Sequence, residues 1–200
     1  MAVSEASRAR LTVSGRNNIY FQGPAEVLTR TNGILFAQQP DIMYGQGVNQ
    51  TPINLTHTNY TTYAYGGTPS PTLQVTAQFS NTTEQEHLYT QGVIHFLRSV
   101  TKMFYGIGDR GNTPVAGTPP PVLRFSAFGS QQFQEVPVVI GSFNIPFQSD
   151  TDLVEVNGQS LPAVQTIALD LLVTVNPAKQ KRVFSKSAFV NGSLYGQGFI

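Results

Sequence analysis

The 200-residue chain contains no cysteine, which excludes disulfides, thiolate zinc sites, iron–sulfur clusters and cysteine nucleophiles. It contains no tryptophan either. Charge is scarce: Asp, Glu, Lys and Arg together make up 12%, against roughly 25% in an ordinary soluble domain. No apolar run approaches the roughly 18 residues that mark a membrane-spanning helix. Met1–Tyr20 also lacks an apolar signal core, so neither membrane insertion nor secretion is expected. What the chain does have is 63 Ser, Thr, Asn and Gln, and a hydrophobic share of 40% with 13 Phe and 8 Tyr. That is enough apolar mass for the core of one domain, so wholesale disorder is excluded. A polar but weakly charged surface suits faces that other subunits will cover, because a charge costs more to bury than an amide.

The charge is unevenly placed. Residues 31–176 carry nine acids and four bases, a net −5, while the flanks 1–30 and 177–200 together carry +6. An acidic body speaks against nucleic-acid binding by that part of the chain. The basic flanks are either solvated tails or arms that dock on an acidic neighbour.

Residues 1–32 show no sustained periodicity and read as an N-terminal arm, with Tyr20 and Phe21 as its docking anchor. Residues 33–176 read as the β domain. Short strands are expected at Ile34–Phe36 and Ile42–Tyr44, a loop over Gly45–Pro52, and a half-buried strand over the Thr- and Tyr-rich Thr58–Tyr65. Leu73, Val75, Ala77 and Phe79 alternate with Gln74, Thr76 and Gln78, a clear period of two. One helix is predicted over 84–105. Thr83 and Glu86 form a capping-box pair, and Tyr89, Val93, Phe96, Leu97, Val100, Met103 and Phe104 form its apolar packing stripe. Gly92 within the helix costs about 1 kcal/mol relative to Ala, which hints at close packing there.

Ile107–Pro121 is too rich in Gly and Pro for regular structure and reads as an exposed loop. More strands follow. In the last, Ala163–Val175, the apolar residues do not keep one period of two, so a bulge or a change of face is expected, and Asp170 faces solvent or an ion-pair partner such as Arg124. Residues 177–200 read as a C-terminal arm. Its assembly contacts are expected from Lys179, Lys181, Arg182, Phe184, Phe189, Tyr195 and Phe199. In total the pattern predicts a mainly β (α+β) fold of about eight strands, with antiparallel sheets packed as a sandwich or barrel and one flanking helix.

Catalysis finds no foothold. His87 and His95 lie eight apart on the predicted helix, about 12 Å at 1.5 Å per residue, too far to share a metal. No carboxylate stands at ligand spacing from either, and a lone helix histidine is normally a hydrogen-bonded structural residue. Glu84 with Glu86 belongs to the cap, and Asp150 with Asp152 to a turn. No nucleophile-elbow, phosphate-loop or dinucleotide glycine pattern occurs. No enzymatic activity, cofactor or metal is expected.

Several stretches carry a resemblance. They are Leu55–Tyr60, the helix Val93-Ile94-His95-Phe96-Leu97-Arg98-Ser99-Val100-Thr101-Lys102-Met103-Phe104-Tyr105-Gly106, Pro119-Pro120-Pro121-Val122-Leu123-Arg124-Phe125, Val136–Val139 leading into Phe143–Phe147, and the ending Gly192–Ile200. In this order, over about residues 33–200, the chain is similar to the tail-tube-like proteins of contractile bacteriophage baseplates, the tail-tube junction or tube-initiator group. The helix and Pro-Pro-Pro-Val-Leu stretches are the specific parts. Ala37 stands where a proline would follow Phe36, and residues 1–32 match nothing in the family.

The resemblance implies a tube-type β fold and a homo-hexameric ring around an axial channel, with DNA only as transient cargo. It implies the tail tube protein and baseplate hub proteins as partners, with sheath or wedge proteins beside them. The location would be the virion baseplate, after assembly in the bacterial cytoplasm. Two other readings stay open: a wedge or sheath-adaptor protein flanking the tube, and, from a different class, a β-sandwich receptor- or carbohydrate-binding module that uses Tyr60, Tyr63 and Tyr65 as a stacking platform.

Overall fold

The computed structural model describes residues 7–14, 19–106, 117–147 and 151–200. Its strands are β1 (Arg10–Val13), β2 (Gly33–Leu35), β3 (Asp41–Gly45), β4 (Asn49–Ile53), β5 (Thr62–Gly67), β6 (Thr72–Ser80), β7 (Leu123–Ala127), β8 (Phe133–Asn144), β9 (Leu153–Val156), β10 (Gln159–Pro162) and β11 (Val164–Val173). Seven of them form one sheet in the order β2-β1-β7-β8-β11-β6-β3, while β4-β5 and β9-β10 are separate two-stranded ribbons. Every pairing is antiparallel. The expected mainly β, α+β class is therefore observed.

The alternation in the sequence explains the core. On β6, Leu73, Val75, Ala77 and Phe79 are all buried, while Thr72, Gln74, Thr76 and Gln78 are exposed on the opposite face. The same inward face continues through Ile167, Leu169, Leu171 and Val173 on β11, Val136 and Val138 on β8, and Leu123 and Phe125 on β7. The sheet is rolled. Phe36, just beyond β2, reaches Phe79 on β6 with ring centroids 5.9 Å apart, and Tyr44 on β3 reaches Phe133 on β8 at 6.4 Å. Side chains from strands that are not neighbours thus meet across the concave face.

The helix α1 (Glu84–Val100) covers this core. Its start is the expected capping box: the Glu86 N–H donates to Thr83 Oγ1 (3.3 Å), and the Thr83 N–H donates to Glu86 Oε2 (3.1 Å). The Thr82 hydroxyl, the largest cause, and these Thr83 groups hold the Glu86 carboxyl below the usual glutamate range. Val93, Phe96, Leu97 and Val100 are buried as the stripe predicts, and Tyr89 is half-buried. The helix is shorter than expected. It ends at Val100 with Thr101 as its C-cap, so Phe104 lies beyond it, half-buried against Tyr20, and Met103 is 50% exposed.

Gly92 explains its place in the helix. A Cβ there would lie 2.6 Å from Val27 Cγ2 and 2.8 Å from the Pro24 carbonyl oxygen, both in the 3₁₀ segment Gly23–Leu28 packed on α1. Gly92→Ala is therefore expected to destabilise the protein by about 1–3 kcal/mol, despite alanine's better helix propensity. Chemical denaturation of the variant checks this, and a gain in stability would contradict the close packing.

Four expectations need correcting. First, residues 1–32 are not simply an arm: β1 is an interior strand paired with both β2 and β7, and Leu11, Val13, Phe21, Ala25 and Leu28 are buried. Four residues of strand are too short to show a period. Second, Gly45–Pro52 is not all loop, because Asn49–Ile53 pairs as β4. Third, the last strand keeps a strict alternation, and its mixed appearance comes from Val164 and Leu172 on the outward face, 55% and 44% exposed. The irregularity lies across the ladder in β8: Asp170 pairs with Ser142 and Leu171 with Ile140, leaving Gly141 as the extra residue. Asp170 accepts a hydrogen bond from Ser142 Oγ, whereas the Arg124 guanidinium donates to the Glu135 carbonyl (3.4 Å).

Fourth, residues 177–200 fold. They form α2 (Pro177–Val183), α3 (Lys186–Val190) and a 3₁₀ turn at Tyr195–Gln197. Asn176 Oδ1 and Ser185 Oγ cap the two helices by accepting from the Ala178 and Ala188 N–H groups. Of the loop expected at Ile107–Pro121, residues 107–116 lie outside the described residues.

Candidate assembly surface

The ribbon β4-β5 stands out by exposure. It joins β3 to β6, so it continues their ladder past the sheet, and every residue of β4 is exposed. Five residues of strand reach about 17 Å. Across the ribbon Gln50 faces Tyr65 and Pro52 faces Tyr63, so the two tyrosines, two positions apart, share one face. They are 62% and 66% exposed, and Tyr60 near the tip is 87% exposed. Val48, Ile53 and Leu55 add exposed apolar surface along the same arm. The tip is held locally: the Thr58 hydroxyl faces the Leu55 and Tyr60 carbonyls (3.1 and 3.3 Å), and His57 adopts φ +64° in a turn. Sequence reasoning took Thr58–Tyr65 for a half-buried strand. The available signal was Pro52, which marks a strand at an edge or outside a main sheet.

A two-stranded ribbon with both faces in water is marginal alone.

The residues expected to make assembly contacts fall into two groups. Tyr20 and Phe21 pack on their own chain. Phe21 is buried and stacks on Phe96 with centroids 5.6 Å apart and planes 12° off parallel, and Tyr20 meets Phe104 at 5.9 Å. They anchor the N-terminal segment to α1 and leave Phe21 little surface to offer another copy. In the C-terminal group, the Phe184 ring lies 5.9 Å from Phe189 and 5.7 Å from Phe199. Lys179 sits over Phe199 at 5.5 Å and donates to the Gln197 carbonyl. Phe199 is buried, whereas Lys181, Arg182, Phe184 and Tyr195 are exposed. This small basic unit docks on β8 through Gly198, which takes φ +77° and leaves only 2.6 Å between a Cβ position and the Glu135 carbonyl.

The outer face of the sheet is open and mixed, with exposed Met43, Val164 and Leu172 among its polar residues. It presents Gln74, Thr76 and Gln78 from β6, Ser142 and Asn144 from β8, and the partly exposed Thr166 and Asp170 from β11. Of the histidines, His87 is buried with its Nε2 3.0 Å from the Gln91 amide, and His95 is exposed. Among the described residues no three His, Asp or Glu side chains gather as a metal site, and no helix is long and apolar enough to cross a membrane.

One tyrosine was read only as core. The Tyr89 hydroxyl accepts from the Leu35 N–H (2.8 Å) and donates to the Leu35 carbonyl (2.9 Å). Burial pushes its pKa above the ordinary tyrosine value, and the Leu35 hydrogen bond opposes that shift only in part. The folded state thus favours the neutral phenol. This contribution to stability is complete below about pH 10, where free tyrosine ionises, and is lost as pH rises through the higher folded value. Denaturation midpoints should fall as pH rises past about 10 in the native protein, and fall less in Tyr89→Phe.

No family model matches the chain, and no curated protein matches it. Among solved structures, a chain from the tail of an empty GTA particle of C6 symmetry is similar over 88% of this chain and 96% of that one, with 8% identity and a TM-score of 0.34. That likeness is too remote to speak for function.

Proposed function

We propose that the chain is a structural subunit of a contractile phage tail, forming a hexameric ring at the junction of baseplate hub and tail tube. In this reading it initiates tube assembly and leaves an axial channel for DNA, with the tube protein and hub proteins as neighbours and sheath or wedge proteins outside. It performs no chemistry. The observation that carries the proposal is the β4-β5 ribbon, a projecting arm with three exposed tyrosines and no cover of its own. The Val93–Gly106 and Pro119–Phe125 stretches that resemble the junction family support it, and their apolar residues Val93, Phe96, Leu97, Leu123 and Phe125 are buried in the core.

Sedimentation velocity of the full chain, alone and with the tube subunit, tests the proposal. A six-copy species that binds the tube subunit supports it, and a protein that stays monomeric in both conditions contradicts it. The shared face of Tyr63 and Tyr65 favours, as a second reading, a carbohydrate-binding module. Glycan binding lost on Tyr63→Ala would decide for that reading.

A further inference from the structure

The rolled sheet has two edges, β2 and β3, and the chain treats them differently. The hydrogen bonds Val13 N–H to Asn32 O and Phe36 N–H to Ala9 O turn the alternate residues, Gly33 and Leu35, outward from β1. Their polar groups are the ones an added strand would use. Three of these groups are already taken by side chains of the same molecule. Tyr89 on α1 binds both the N–H and the carbonyl of Leu35, and the Thr31 hydroxyl lies 2.5 Å from the Gly33 carbonyl oxygen. At β3, by contrast, no side chain among the described residues takes an outward backbone group. The Tyr44 hydroxyl there turns to Gln46 instead, and Met43 is 68% exposed.

We infer that Tyr89, together with Thr31, guards the β2 edge against a strand of a second copy of this chain, leaving β3 as the edge at which the sheet can be extended. Adding a strand at β2 requires breaking both Tyr89 bonds and moving a half-buried ring out of the gap between β2 and α1. A sheet open at both edges could join β3 of one copy to β2 of the next without end, a head-to-tail contact that yields filaments when its rotation does not close. Closing β2 removes that route. The inference concerns the edge itself and stands whether or not the tail-ring reading holds.

Tyr89→Phe in the full chain is the test, because it keeps the ring and removes only the hydroxyl. The Leu35 amide should exchange with deuterium at least tenfold faster than in the native protein. Light scattering after size exclusion should show new, concentration-dependent self-association. If Tyr89→Phe does not fold, Thr31→Val, which frees the Gly33 carbonyl and leaves the helix untouched, takes the light-scattering measurement, where an unchanged size distribution would likewise overturn the inference. A folded variant with native exchange at Leu35 and a native size distribution would overturn the inference.

Discussion

Alanine at Phe96 is expected to lower the unfolding free energy by about 3–5 kcal/mol, the largest single-residue loss we anticipate in this chain. Phe96 has no exposed surface, and its ring stacks on Phe21. The substitution therefore leaves a cavity at the point where α1, the N-terminal segment and the concave face of the sheet meet. Phe21→Ala should cost less on its own, because Phe21 lies nearer the surface. The double variant should cost less than the two losses added, since each single change already removes the shared contact. Met103→Ala is the control. Half-exposed beyond the end of the helix, it should change stability by no more than about 0.5 kcal/mol. Urea denaturation of the four proteins checks the set. A loss below about 1 kcal/mol at Phe96 would mean that the stripe does not carry the core.

Replacing residues 49–67 by a short turn is expected to have the opposite profile, with stability nearly unchanged and assembly abolished. The buried core draws nothing from β4 or β5, so removing the ribbon takes away no packing. The β3–β6 ladder that it extends is held from Asp41–Thr76 to Gly45–Thr72. What disappears is the exposed tyrosine arm. A milder change, Tyr63→Ala with Tyr65→Ala, should weaken association at least tenfold if each ring anchors in a partner, since central aromatic anchors typically contribute about 2 kcal/mol or more. Thermal melts and co-sedimentation with the tube subunit read the two effects separately. A ribbon-deleted protein that melts normally and still assembles would remove the ribbon from the account.

The elements legible in the sequence were those whose burial is one-sided and periodic. Leu73 to Phe79 and the Val93–Val100 half of α1 each face one core, so their spacing alone located both strand and helix. Gly92 was legible for a related reason: a glycine that costs helix stability must be bought by contact, and Val27 and Pro24 supply it. What escaped notice had no such periodic signal. β1 is four residues long, and the ribbon β4-β5, wet on both faces, needs no apolar alternation. The bulge was placed on the wrong strand because the outward Val164 and Leu172 on β11 mimic a break that belongs to Gly141 on β8. The C-terminal cluster shows both sides of this. Its aromatic and basic residues are plain in the sequence, but the packing of Phe184 on Phe199, 15 positions further along the chain, depends on turns that no local pattern shows. Tyr89 was recognised as a packing residue, while its hydroxyl's reach to Leu35 depends on the tertiary approach of α1 to β2.

The central claim is that this chain builds a ring on which a tail tube is founded. Negative-stain electron microscopy of the full-length protein mixed with the tube subunit, with particles averaged along the ring axis, tests it most directly. The account predicts six-fold rings with a central hole, bound at one end of growing tube. Monomers that never close into rings, with the tube subunit present, would contradict it.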